Sequence, residues 1–200
     1  MKNIILSIAI AVAILAACNS KSNKSTEGQN SSIDTLAIPQ TDNTTVTTSS
    51  VADEMNTVSV KEIINAYLQM KNAFTEDNST GAASAGKKLE TAFKNFDKSS
   101  LTAAQKKTYE DVEADAKEHA EHIGANGGNI EHQREHFELL SKDIYDLVKA
   151  FGGGQVLYKD FDSMYNSRKG AFWLSETKEI KNPYMGKAML TSGSIKEEIK

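Results

Sequence analysis

All four histidines of this 200-residue chain fall between positions 119 and 136. They read His119-x-x-His122, a turn holding Gly124, Gly127 and Gly128, and His132-x-x-x-His136. Spacings of three and four residues put each pair on one side of a helix, because 3.6 residues complete a turn. The glycines between them are what a helix-to-helix turn needs. If the two helices fold back about residue 127, His122 and His132 stand level, each five residues from the bend. His119 and His136 then stand level too, eight and nine residues away. Up to four imidazoles gather at one end of a hairpin, a donor set suited to zinc, copper, nickel or iron. The competing reading makes His119 a hydrogen-bonded core histidine and leaves the other three in solvent.

The elements that must position these rings are helices. Val60, Ile63, Ile64, Tyr67, Leu68 and Phe74 form the apolar stripe of a first one. After the polar break 76–79, Ala82, Ala85, Leu89, Ala92, Phe93 and Phe96 form the inner face of a second, with small residues that permit close helix contact. Thr102 and Gln105 have capping-box spacing at the start of a third, whose stripe is Tyr109, Val112, Ala116, His119 and Ile123, with His122 at its edge. A fourth starts from Asn129 and repeats Ile130, Phe137, Leu140, Ile144, Leu147, Val148 and Phe151, with His136 bordering the stripe and His132 further round. Histidines on facing flanks place a metal at a helix–helix seam. Gly152-Gly153-Gly154 ends the series. The expected fold is therefore all-α, an antiparallel up-down four-helix bundle. Its C-terminal cap is irregular, with short extended pieces at 156–158 and 171–174 and a turn at 182–186. Trp173 is expected to anchor that cap, and Arg134 to tie the fourth helix to the tail or to a neighbouring carboxylate.

The termini and composition narrow the function. Lys2, an apolar run from Ile4 to Ala17, and Leu15-Ala16-Ala17-Cys18 resemble the signal peptide and lipobox of bacterial lipoproteins. The resemblance implies cleavage before Cys18, diacylglycerol on its sulfur, and an acyl chain on its amine, a stable membrane anchor. Asn19, rather than aspartate, then points to the outer membrane, facing the periplasm. Residues 18–56, rich in Ser, Thr, Asn and Gln, read as a disordered tether, leaving 57–200 as one domain. Cys18 is the only cysteine, so the folded part has no disulfide, thiolate ligand or thiol nucleophile. Without residues 1–17 the chain carries 22 basic and 27 acidic side chains, a net charge of −5, which argues against nucleic acid as a partner. No nucleophile elbow, phosphate loop or His-Glu-x-x-His motif is present, so an enzyme is not expected.

Longer motifs carry a family resemblance. Tyr67-Leu68-x-x-Lys71, the two histidine pairs with Gln133-Arg134-Glu135 and Phe137-x-x-Leu140-Ser141, and Gly170-Ala171-x-Trp173-Leu174-Ser175 come first. Lys181-Asn182-Pro183-Tyr184-x-Gly186 and Met189-Leu190-x-Ser192-Gly193 follow. Together they resemble a domain of unknown function from Gram-negative periplasmic lipoproteins, also found at the C-terminus of copper and silver efflux adaptors of the membrane-fusion class. The resemblance implies a helical domain linked to heavy-metal handling, with a heavy-metal efflux system as partner. The family's tail commonly carries Cys-Pro-Met and Met-Leu-x-Cys-Gly, where this chain reads Asp162-Ser163-Met164 and Met189-Leu190-Thr191-Ser192-Gly193. Loss of both thiolates moves the expected ion from Cu(I) toward Zn(II) or Cu(II). The expected ligands are His119, His122, His132 and His136, with Asp162 or Met164 added from the cap. The rival expectation is an envelope lipoprotein that docks on a protein partner and has lost the family's metal site.

Overall fold

The computed structural model describes the backbone of residues 48–200 and the side chains from Val60 onward. The expected signal peptide, Cys18 and the part of the expected tether up to residue 47 lie outside the described residues. Four helices come first: α1 (Thr48–Thr75), α2 (Ser79–Lys94), α3 (Ala103–Ala125) and α4 (Ile130–Phe151). α1 starts at Thr48, nine residues before the expected domain boundary, through a stretch whose Ala52, Glu54 and Met55 favour helix despite its polar surroundings. No described helix is long and apolar enough to cross a membrane.

Local chemistry sets the helix ends. Asn78 caps α2 by accepting from the Gly81 amide, and Thr102 with Gln105 forms the reciprocal capping box of α3. The Asn129 side chain accepts from the His132 amide at the start of α4, and Gly152, with φ of 81°, ends it. Each helix packs on the next, and α4 packs back on α1. Short connections make sequential neighbours antiparallel. The pairings agree: Phe93 and Phe96 meet Tyr109, while Gly86 faces Ala120 and Gly124. A Cβ at Gly86 would stand 2.8 Å from the Ala120 carbonyl oxygen, so glycine is what lets α2 and α3 approach here. Tyr67, Phe74, Phe137 and Tyr184 form the aromatic centre of the core.

The tail departs from the irregular cap that was expected. It forms a three-stranded antiparallel sheet of β1 (Leu157–Asp162), β2 (Ala171–Ser175) and β3 (Ser194–Ile199), in the order β2-β1-β3. Leu157, Ala171, Trp173, Leu174 and Ile199 are the buried apolar residues of the sheet, Trp173 and Leu174 on opposite faces of β2. Residues quoted above as motifs turn out to be its fasteners. The Tyr67 hydroxyl accepts from the Leu174 amide and bonds the Ser141 hydroxyl. The ammonium of Lys71, 1% exposed, pairs with Glu176 at 2.8 Å. Arg134 donates to the carbonyls of Pro183 and Phe74 and to Asp77, joining α4, the end of α1 and the tail as expected.

Two groups in this junction, the Asp160 carboxyl and the Trp173 indole N–H, are buried without a hydrogen-bond partner among the described residues. Asp160 is fully buried on β1, directly opposite Trp173, and neither of its oxygens has a hydrogen-bond partner among the described residues. Burial pushes its carboxyl up to about 7, with Lys71 pulling the other way. The folded chain therefore holds a proton that the unfolded chain releases near pH 4. The stability this proton contributes is complete below the unfolded value and is lost as pH rises toward 7. Asp160→Asn does not titrate, so its stability relative to the parent should rise by roughly 3 kcal/mol between pH 4.5 and pH 8. Urea unfolding at the two pH values measures this, and an unchanged difference would show Asp160 to be ionised throughout.

Candidate metal centre

The turn that carries the histidines is pinned from behind. Gln133, fully buried, donates to the carbonyls of Ile123 and Ser79, and its own oxygen accepts from the Ser79 hydroxyl. The same hydroxyl accepts from the Gly128 amide in the bend. The end of α3, the start of α2 and the first turn of α4 are thereby held to one another. Asn126 closes α3, its backbone and side-chain N–H groups both donating to the His122 carbonyl. With both ends fixed, His119 and His122 on α3 face His132 and His136 on α4.

The rings do converge. One ring nitrogen from each of His122, His132 and His136 can be chosen so that all three lie within 4.8 Å of one another. His122 stacks on His136 with centroids 4.3 Å apart and planes 9° apart. His132 meets His136 edge-on at 4.7 Å. His122 is exposed, while His132 and His136 are half-buried, so the group opens to solvent on one side. His119 stands beside it, Nδ1 to Nδ1 with His136 at 3.1 Å, but outside the mutual set.

A tetrahedral ion with nitrogen ligands at 2.0–2.1 Å needs nitrogens about 3.3 Å apart, so to ligate one ion the rings must close in and His122 must turn out of its stack on His136. The donor chemistry fits as well, since a metal takes the neutral imidazole. Burial lowers the pKa of His136, and the three neighbouring imidazoles lower it further. Burial lowers that of His119 too, against the opposing pull of Glu118 and Asp115. Two carboxylates reach the outer side of the group: Glu135 lies 3.4 Å from Nδ1 of His132, and Glu118 lies 3.9 Å from Nε2 of His122. Glu118 remains exposed on α3, and its spacing of four residues from His122 is what brings it near that ring.

The two tail residues expected as ligands are elsewhere. Asp162 is buried and spent: it accepts from the Met164 amide, from Asn182 and from the Ser192 hydroxyl. Asp162 and Ser192 are the two positions where the resemblance places cysteines, and here a 3.1 Å hydrogen bond joins them. Their contact fastens the tail to itself. Met164 is half-exposed beside a tight turn in which Asn166, Ser167 and Arg168 all have positive φ. That turn meets α4 at Glu138, and the following tail segment meets it at Arg134. His136 is two residues from each, about 160° round the helix. The tail and the imidazoles thus occupy nearly opposite faces of α4, and the structure brings neither Asp162 nor Met164 to the rings.

No curated protein and no solved structure matches the chain. Residues 63–155 match a family model described as "Protein of unknown function (DUF3347)", a stretch that contains all four histidines and stops before β1.

Proposed function

We propose that this protein is a membrane-anchored lipoprotein of the cell envelope that binds one transition-metal ion, Cu(II) or Zn(II), through His122, His132 and His136. Its role would be accessory to heavy-metal homeostasis or efflux, with the domain held at the outer membrane by the lipid on Cys18. The observation that carries the reading is the convergence of three imidazoles from two helices on one solvent-facing point. Three neutral nitrogens and no thiolate favour Zn(II) or Cu(II) over Cu(I). Three protein ligands leave a tetrahedral ion one open position, which water or a partner's side chain can take. With His122 on the exposed rim, the ion stays reachable, an arrangement suited to exchange rather than permanent structural binding.

Titrating the full-length protein with Zn(II) and with Cu(II), with a competing chelator present, tests the reading. The expected result is a single saturable site in the parent protein that is lost in the His122→Ala, His132→Ala, His136→Ala triple variant. Equal binding by both proteins would overturn it.

Protons compete for the same lone pairs. The lowered pKa values of His119 and His136 mean that the unfolded chain takes up protons near pH 6.5 before the folded one does. Stability from these two groups is present above that pH and is lost as pH falls through their folded values. In the metal-free protein, the Tm of His136→Gln relative to the parent should therefore be higher at pH 5 than at pH 7.5, the opposing contribution of the buried Asp160 being common to both proteins. A pH response unaltered by that substitution would count against a buried neutral ring.

A further inference from the structure

We propose that His119 is a positioning residue, which sets the tautomer and orientation of His136 and thereby the affinity for the ion. This rests on the metal-binding reading above. His119 lies outside the set of mutually close donor atoms, and its Nδ1 is engaged with Nδ1 of His136 at 3.1 Å. At that distance one nitrogen must carry a proton and the other a lone pair, because two lone pairs or two protons would repel. With His119 occupying Nδ1 of His136, only Nε2 of that ring is left for an ion. If His119 donates, neutral His136 carries its proton on Nε2 and that nitrogen is closed. If His136 donates, its Nε2 keeps a lone pair. Ion binding therefore selects His136 as donor and His119 as acceptor.

The surroundings of His119 suit an acceptor. It sits half-buried on α3, one turn from Ala116 and Ile123, both of which are buried. His132 has a carboxylate for the same purpose, Glu135 at 3.4 Å, and Glu118 stands 3.9 Å from Nε2 of His122, outside hydrogen-bond reach. His136 has no carboxylate partner among the described residues, and His119 takes that place. A ligating imidazole that gives its second N–H to an acceptor is fixed in orientation and made more basic.

The test loads the full-length protein with Cu(II), counts the coordinated imidazoles by pulsed EPR, and measures affinity by competition. It compares the parent with His119→Ala and His119→Asn. The expected result is the same imidazole count in all three, with affinity lowered about 10- to 100-fold in His119→Ala. His119→Asn should recover part of the loss, because its side-chain carbonyl can accept from Nδ1–H of His136. One imidazole fewer in His119→Ala would make His119 a ligand, overturning this inference and leaving the metal-binding reading intact. Unchanged affinity in His119→Ala, or no recovery in His119→Asn, would overturn the inference as well. No coordinated imidazole in the parent would overturn both.

Discussion

His136→Ala is expected to lower affinity for Zn(II) and Cu(II) by more than about 100-fold, since deleting only an outer-sphere partner of a ligand already costs 10- to 100-fold. His136 is the hub of the cluster. Its ring stacks on His122, meets His132 edge-on, and is hydrogen-bonded to His119. Its loss removes one donor and leaves the other two without the ring that organises them. His122→Ala should cost less, because that side chain is exposed on the rim and water can take its place. Competition titration of the two variants checks the order, and a larger loss in His122→Ala would contradict a site centred on His136. Neither substitution should change the metal-free Tm much, since neither ring belongs to the apolar core.

Arg134→Met should destabilise the protein by about 3–5 kcal/mol while leaving metal affinity within about twofold of the parent. Methionine keeps most of the stem but provides no donors. The carbonyls of Pro183 and Phe74 then lose their partner, as does Asp77, whose carboxyl the guanidinium holds below its usual range. A buried acceptor left unpaired costs more than its hydrogen bond contributed. Gly186 belongs to the same junction, with φ of 54°, and a Cβ there would collide with Asp77 and Arg134. Chemical denaturation measures the loss. A drop in metal affinity as large as that of His136→Ala would show that the tail and the imidazoles are coupled, against their placement on opposite faces of α4.

How much of this could be read from the chain depends on whether the signal was local. The bundle helices have apolar positions at helical spacing, and their caps (Asn78, Thr102 with Gln105, Asn129) lie within three residues of the groups they serve. The meeting of the two histidine pairs is local as well, because one glycine-bearing bend and two helical spacings suffice to place it. The sheet is different. β3 reads Ser-Ile-Lys-Glu-Glu-Ile, exposed over most of its length, and has almost no apolar alternation to mark it. Its pairing with β1 also shifts register between Lys159 and Asp160, with Lys196 as the extra residue, which breaks the period of two in β3. Asp162 was drawn to the metal by the family pattern, but its fate is decided by Asn182 and Ser192, twenty and thirty residues on. Tyr67, Lys71 and Arg134 bind partners 40 to 110 residues away, a pairing that no local spacing reveals. The separation of His119 from the other three rings depends on how α3 is rotated against α4, which side-chain spacing alone leaves open.

X-ray absorption at the zinc edge, on the full-length protein loaded with one Zn(II), tests the central claim most directly. Three imidazole nitrogens and one oxygen, all at about 2.0 Å, form the predicted first shell. A shell of oxygens alone, without the outer-ring scattering that imidazoles produce, would contradict it.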